Sequence, residues 1–138
     1  IGAKKVETRS WGVSYRGEIA ICAAKPTESM PLLTPLLNRA FRGRYDTIEI
    51  SRRARDSLGC VVAVARLKDC FEVACPSLVS SFSPSELELG DLSPGRFAWV
   101  LRDVSGLPNP VPVRGRQGLF NLDAETEKRV RADLVTPF

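Results

Sequence analysis

The sequence contains no histidine among its 138 residues. Without an imidazole, a Ser-His-Asp triad, a Cys-His pair and a His-ligated zinc site are all excluded within this chain. Any acid–base catalysis would have to use a lysine or a carboxylate.

Cysteines are few, and none of them form a C-x-x-C pair: they are Cys22, Cys60, Cys70 and Cys75. This spacing argues against a zinc knuckle and against a thioredoxin-like redox motif. Most of them lie in apolar, strand-like stretches, which favours small buried hydrophobic residues in a reduced compartment. We therefore expect no metal and no cofactor.

Long hydrophobic runs are also absent, and the chain opens with Ile-Gly-Ala-Lys-Lys rather than with the apolar region of a signal peptide. These absences predict that no membrane is involved and that the location is cytoplasmic. Because no initiator methionine is present, we expect the chain to start inside a longer gene product.

The composition is that of one globular domain spanning residues 1–138, with 43% hydrophobic and 26% charged residues. Lys and Arg exceed Asp and Glu by 20 to 16, and residues 1–69 hold 13 basic and 7 acidic side chains. This surplus makes an anionic partner plausible and assigns the attraction to the first half of the chain.

Hydrophobic patterning predicts five strands. The first covers residues 4–9, the second residues 17–24, and the third, residues 60–67, is apolar enough to be buried on both faces. Two more strands are predicted at residues 97–104 and 111–122, separated by a turn-rich stretch at 105–110.

Three helices are expected. Thr34 and Pro35 suit the start of a short helix that ends near Arg42. A D-x-x-E pattern at Asp46 and Glu49 precedes a second helix, and Gly59 is well placed just beyond its end. Residues 123–134 are polar and helical, with side chains spaced for i,i+4 ion pairs. The stretch 76–96, rich in Pro, Ser and Gly, is expected to be a long irregular connection.

Strands interrupted by short helices indicate an α+β domain. A small, partly closed β-barrel would protect the strand edges.

The segment Gly2–Trp11 (GAKKVETRSW), followed by Tyr15-Arg16-Gly17 and the strand IAICAAK, resembles the opening of an ASCH domain, a member of the PUA-like superfamily. CVVAVARLKDC, FAWVL and PVPVRGRQGLF follow in the family's order, so the resemblance covers about residues 2–122. It implies a PUA-like, partly closed β-barrel with flanking short helices and a basic cleft that binds RNA, a nucleotide or a nucleoside.

The resemblance assigns Lys4, Glu7 and Arg9 to the wall of that cleft. An arginine can donate two parallel hydrogen bonds to a phosphate or a base edge, and a lysine supplies a mobile positive charge. A glutamate accepts a hydrogen bond from an exocyclic amine of a base or orients the arginine. In a regular strand Glu7 and Arg9 share a face, and Lys4 does not. Lys4 therefore reaches the same cleft only if a turn or bulge precedes Val6.

Three further residues extend this candidate site. Arg16 would add a phosphate contact, and Trp11 and Tyr15 could stack bases, although Trp11 could equally pack in a core. Trp99, inside an apolar strand, is expected in the core. The arginines at 52, 53 and 55 are expected on a solvated helix face, and Arg114 and Arg116 could hold a phosphate or lie in a solvated turn.

Two other classes of function stay open. Some proteins similar to this family are amidohydrolases acting on N4-acetylcytidine, and others cleave RNA; here Lys4 and Glu7 would be the catalytic residues. Glu7 stands where the amidohydrolase branch has its threonine, so the nucleophile of that branch is missing. Without that resemblance, Lys4, Glu7 and Arg9 would be a surface ion-pair cluster, and the loop at 76–96 could serve a protein-interaction adaptor.

Overall fold

The computed structural model describes residues 5–25, 47–74 and 82–135. Within them the chain forms an α+β fold around a four-stranded antiparallel sheet of order β1-β4-β3-β2. The strands are β1 (Val6–Arg9), β2 (Gly17–Ala23), β3 (Cys60–Glu72) and β4 (Phe97–Pro112). The helices are α1 (Thr47–Asp56), α2 (Pro84–Leu89) and α3 (Ala124–Val135).

The first three predicted strands are confirmed, with small changes at their ends. β3 runs on to Glu72, and its first half is buried at Val61, Ala63, Val64, Ala65 and Leu67. Successive side chains of a strand point to opposite faces, so this run requires cover on both sides of the sheet. The nearly continuous apolar pattern of residues 60–67 was therefore a sound indicator of a central strand.

The prediction of two strands at residues 97–104 and 111–122 is wrong. β4 is one strand of 16 residues, and residues 113–123 lie outside any strand. The turn-rich stretch is accommodated as an irregularity, because the register with β3 moves from Ala63↔Gly106 to Val61↔Val111. Asn109 in this irregularity bonds Asp133 of α3 through its backbone N–H and side-chain amide, each at 2.9 Å. The prolines interrupt the ladder without reversing the chain.

α1 and α3 confirm two of the predicted helices. α1 is followed by Gly59, whose φ of 74° lies in the left-handed region that glycine adopts without strain. Asp123, just before α3, accepts hydrogen bonds from the backbone N–H and the hydroxyl of Thr126, as an N-cap does. The helix predicted between Thr34 and Arg42, together with Asp46, lies outside the described residues.

The prediction of an irregular connection over residues 76–96 is wrong for residues 84–89, which form α2. Ser83 and Glu86 form a capping box there, with Pro84 in the first turn. The buried Glu86 carboxylate also accepts the backbone N–H of Lys5 at 2.9 Å. This contact attaches α2 to the start of β1. Residues 76–81 lie outside the described part of the chain.

The two faces of the sheet carry different cores. We call one the tryptophan face: Trp99 and Leu101 of β4 pack there with Ala65 and Leu67 of β3. Opposite it is the helix face, where Val64 and Leu107 pack against Val130 of α3. At the other end of the helix face lies a third cluster of Val6, Val73 and Ala98, with Phe71, Phe82 and Leu92 against it.

The described sheet is open, since β1 and β2 form its two edges and do not pair with each other. Among the described helices, none has the length and apolar character needed to cross a lipid bilayer.

Candidate functional site

The connection between β1 and β2, residues 10–16, crosses the tryptophan face; we call it the crossover segment. The backbone carbonyl of Trp11 accepts a hydrogen bond from the indole N–H of Trp99 at 3.2 Å, and Val13 packs on the core of this face. Gly12 lies so close to Phe97 that an added Cβ would be 2.5 Å from its ring. A side chain at position 12 would therefore push the segment away from the sheet.

Trp11 packs against the core of this face and is still partly exposed, while base stacking by its ring stays a prediction. The rings of Trp11 and Trp99 form a T-shaped pair, with centroids 4.9 Å apart and planes at 89°. Trp99 is 4% exposed, which confirms its expected place in the core, while Trp11 is 36% exposed. The buried indole thus holds an exposed aromatic surface in a defined orientation.

Glu7 and Arg9 lie beside these tryptophans on the same face. Glu7 is opposite Trp99 and Arg9 is opposite Phe97 in the pairing of β1 with β4, so their side chains share the tryptophan face. Arg9 Nη2 lies 3.5 Å from Glu7 Oε1, and their side chains are 54% and 36% exposed. The expected alternation of this strand is confirmed, and the pair is close to neutral overall.

Lys4 lies outside the described residues. Its role in the cleft, its bulge before Val6 and the catalytic pair Lys4–Glu7 therefore stay predictions.

Arg16 fixes the crossover segment in place. Its guanidinium donates to the carbonyls of Val13 and Tyr15 at 3.0 and 2.9 Å, to Asp69 Oδ1 at 3.2 Å and to the Cys70 carbonyl at 3.3 Å. These bonds use both terminal nitrogens, so a phosphate would have to share them. Asp69 was not expected to bind Arg16, because nothing local links residues so far apart in the chain.

Tyr15 does not lie beside Trp11 on the tryptophan face but at a cavity elsewhere. Its hydroxyl donates to the Glu18 carbonyl at 2.9 Å, and its ring lines a cavity of about 470 Å³ between β2, α3 and residues 118–122. The structure thus brings Glu7, Arg9 and Trp11 together and places Tyr15 at a different surface. The sequence did not indicate this cavity, because the elements around it come from both ends of the chain.

The cavity has an ionic rim and a largely apolar floor. Arg131 binds Glu18 at 3.1 Å and Glu127 at 3.0 Å, and Cys22 lines the interior. Burial, with the neighbouring Cys60 as a smaller cause, raises the pKa of the Cys22 thiol. A thiol whose pKa is raised stays protonated near neutral pH, which makes Cys22 a poor nucleophile.

Arg52 and Arg53 of α1 form an exposed ion-pair cluster on a solvated helix face, as expected. Arg52 and Arg53 donate to Glu49 at 2.8 to 2.9 Å, and Arg52 also reaches Asp56 at 3.4 Å. The hydrogen bonds from Arg52 and Arg53 lower the pKa of Glu49 to about 2. Arg52 and Arg53 are therefore already paired with carboxylates of their own helix.

Potential metal ligands are scattered in the part of the chain that the structure describes, where no three Cys, Asp or Glu side chains could hold a metal together. Cys22, Cys60 and Cys70 are free thiols; Cys75 lies outside the described residues.

Comparisons with known proteins give this chain no family assignment. No protein-family model matches the sequence, and no curated protein is similar enough to establish a relationship.

Proposed function

We propose that the protein binds single-stranded RNA, or a free nucleotide, through the tryptophan face. One nucleobase stacks on the exposed ring of Trp11, and Glu7 and Arg9 contact the edge of that base. The observation that carries this proposal is the partly exposed indole of Trp11, held in a T-shaped contact with the buried indole of Trp99.

A stacking surface is effective when it is rigid before the ligand arrives. Stacking of a base on an aromatic side chain contributes about 1–3 kcal/mol, and ordering a flexible ring would reduce this gain. Trp11 is restrained by the ring of Trp99 and by the hydrogen bond to its own carbonyl. Little ordering is therefore needed on binding.

The Glu7–Arg9 pair suits a base edge better than a phosphate. A base edge presents donors and acceptors side by side, whereas a phosphate presents only acceptors. The carboxylate of Glu7 accepts and the guanidinium of Arg9 donates from neighbouring positions on one face. Phosphate contacts from Lys4 and Arg16 belong to the same proposal, following the resemblance to ASCH domains.

The family assignment and the finer fold class are also part of this proposal. An ASCH-like domain of the PUA-like superfamily would build its partly closed barrel on an antiparallel sheet such as β1-β4-β3-β2. The free thiols of Cys22, Cys60 and Cys70 support the proposed cytoplasmic location, where thiols stay reduced.

The test is titration of the purified protein with short, end-labelled single-stranded RNA at low salt, followed by fluorescence anisotropy. We expect Trp11→Ala to weaken binding roughly tenfold because a stacking contact of about 1–3 kcal/mol is lost. Trp11→Phe keeps a ring and should retain most of the affinity. Leu119→Ala is the control, since Leu119 is an exposed apolar side chain at the cavity, 45% accessible against 36% for Trp11.

Equal affinity of the wild-type protein and Trp11→Ala would overturn the proposal, as would the absence of binding by wild type. Far-UV circular dichroism of each variant checks that the sheet is intact.

A further inference from the structure

The helix face carries two arginines that lie directly opposite each other. Arg66 of β3 is the pairing partner of Arg102 of β4. The residues next to them in the chain, Ala65, Leu67 and Leu101, pack on the tryptophan face. Because successive side chains of a strand alternate, both arginines point to the helix face. Residues paired in this way have Cβ atoms about 4.5–5.5 Å apart, and like charges at such positions destabilise a sheet.

Nothing in the described part of the chain neutralises this pair. Arg66 and Arg102 are exposed and form no ion pair or side-chain hydrogen bond with the described residues, including Asp103. Glu18 is the partner of Arg66 in β2, but its carboxylate binds Arg131 of α3 at 3.1 Å. Arg131 also binds Glu127 at 3.0 Å, so the carboxylates of Glu18 and Glu127 are both already paired with Arg131.

Both arginines are exposed and lie between two cores of the helix face. Along β3, Arg66 lies between Val64, in the core under α3, and Phe71, in the core near α2. Along β4 Arg102 lies between Ala98 and Leu107 of the same two cores. The pair is therefore an exposed, charged part of the helix face between its two apolar cores.

The backbone around the pair is irregular on both strands. The register of β3 with β4 shifts between Val64 and Arg66 and again between Leu67 and Asp69. Asp103, next to Arg102, has a φ of 52° and is the non-glycine residue with a positive φ in the described chain. Such bulges often re-aim side chains beside binding sites.

We propose that Arg66 and Arg102 form a binding site for a phosphate group, carried by free phosphate or a small phosphate monoester. Two guanidinium groups on adjacent strands supply several N–H donors from one place on the sheet, and a phosphate dianion can accept from both. The bound anion removes the repulsion between the arginines. This site lies on the opposite side of the sheet from Trp11 and does not depend on the proposed RNA binding.

The test compares thermal unfolding in potassium phosphate and in potassium chloride of equal ionic strength. Because a ligand that binds only the folded state stabilises it, phosphate should raise the Tm of the wild type above the value in chloride. Arg66→Gln and Arg102→Gln should lose this rise. Arg66→Lys keeps the charge without the fork and should retain only part of it.

Two controls make the result specific. Arg53→Gln removes an exposed arginine of α1 that is already paired with Glu49, and it should keep the full phosphate effect. Trp11→Ala should keep it as well, because the tryptophan face is not involved. In chloride, Arg66→Gln should unfold at a temperature no lower than that of the wild type, since it removes a like-charge pair.

A phosphate effect of equal size in wild type and in both Gln variants would overturn the site, as would the absence of any effect in wild type. Loss of RNA affinity in Arg66→Gln to the extent seen in Trp11→Ala would also overturn it, because the pair would then belong to the RNA surface. A methyl phosphate titration followed through the arginine Nε–Hε signals distinguishes a monoester from free phosphate as the preferred source.

Discussion

On the tryptophan side of the sheet the arginines are matched by carboxylates, with Arg9 at 3.5 Å from Glu7 and Arg16 at 3.2 Å from Asp69. On the helix face Arg66 and Arg102 are matched with each other. The first arrangement offers donors and acceptors together and suits a nucleobase, whereas the second offers donors only and suits a phosphate. The net charge of +4 does not distinguish these surfaces, because only the tertiary pairing decides which arginines are neutralised.

The largest effect is expected from Trp99→Ala, which removes the buried ring at the centre of the tryptophan face. Trp99 is 4% exposed and supports Trp11, so the free energy of unfolding should fall by about 3–5 kcal/mol. Urea denaturation measures this change. Trp11→Ala is the matched comparison, and its loss of stability should be clearly smaller because its ring is 36% exposed. Equal losses would mean that Trp11 is a core residue rather than a binding surface.

Gly12→Ala should move the crossover segment while leaving the helix face unchanged. The new Cβ would lie 2.5 Å from the ring of Phe97, and relief of this overlap should cost about 1–3 kcal/mol of stability. RNA affinity should fall with it, because Trp11 is the adjacent residue. Gly115→Ala serves as control, since a Cβ there meets nothing within 4 Å. Unchanged RNA affinity in Gly12→Ala would separate the segment from the binding surface.

Arg16→Gln should loosen the same segment without altering the core. The guanidinium loses its bonds to Asp69 and to the carbonyls of Val13, Tyr15 and Cys70, and the side chain is 39% exposed. A loss of stability of about 1 kcal/mol is expected, together with weaker RNA binding. The phosphate effect on Tm should persist, because it arises on the other face. Arg16→Lys should fall between wild type and Arg16→Gln; full recovery by lysine would show that charge alone acts there.

Asp123→Ala is expected to have the smallest effect and to affect the helix side only. Hydrogen bonds from the N–H and hydroxyl of Thr126 lower the pKa of Asp123 from its ordinary 3.8. A lowered folded-state pKa adds stability that is complete above the unfolded pKa and is lost as pH falls through the folded one. The wild type should therefore exceed Asp123→Ala in Tm by a few degrees near neutral pH, and the difference should shrink under acid conditions.

Asp123→Asn supplies the control for that pH dependence, since asparagine caps a helix without titrating. Its Tm difference from Asp123→Ala should change little with pH. A wild-type advantage that stays constant down to low pH would show that the charge of Asp123 does not contribute.

Patterns that depend on local repetition were reliable guides to the fold. The apolar run at 60–67 predicted the central strand, and the i,i+4 charges after residue 123 predicted α3. The alternation of β1 placed Glu7 and Arg9 on one face. Each of these features is decided within a few residues, and tertiary contacts then reinforce the same choice.

The missed features depend on competition between local signals and distant partners. Pro108 and Pro110 predicted a turn, yet bonds between Asn109 and Asp133 and continued pairing with β3 let β4 pass through that stretch. α2 was hidden by the Pro- and Ser-rich composition around it, although the Ser83–Glu86 capping box was present in the sequence. The capping box was the more specific of these two local signals.

The sequence by itself determined which chemistry is possible: without histidine it excluded imidazole catalysis, and its alternation set Glu7 beside Arg9. Only the tertiary structure decided that Trp11 is held by Trp99, that Arg16 is bound to Asp69 and that Arg66 faces Arg102. The reason is physical. Residue type and local periodicity are properties of neighbours in the chain, whereas the availability of a charge or a ring depends on which distant strand is paired beside it.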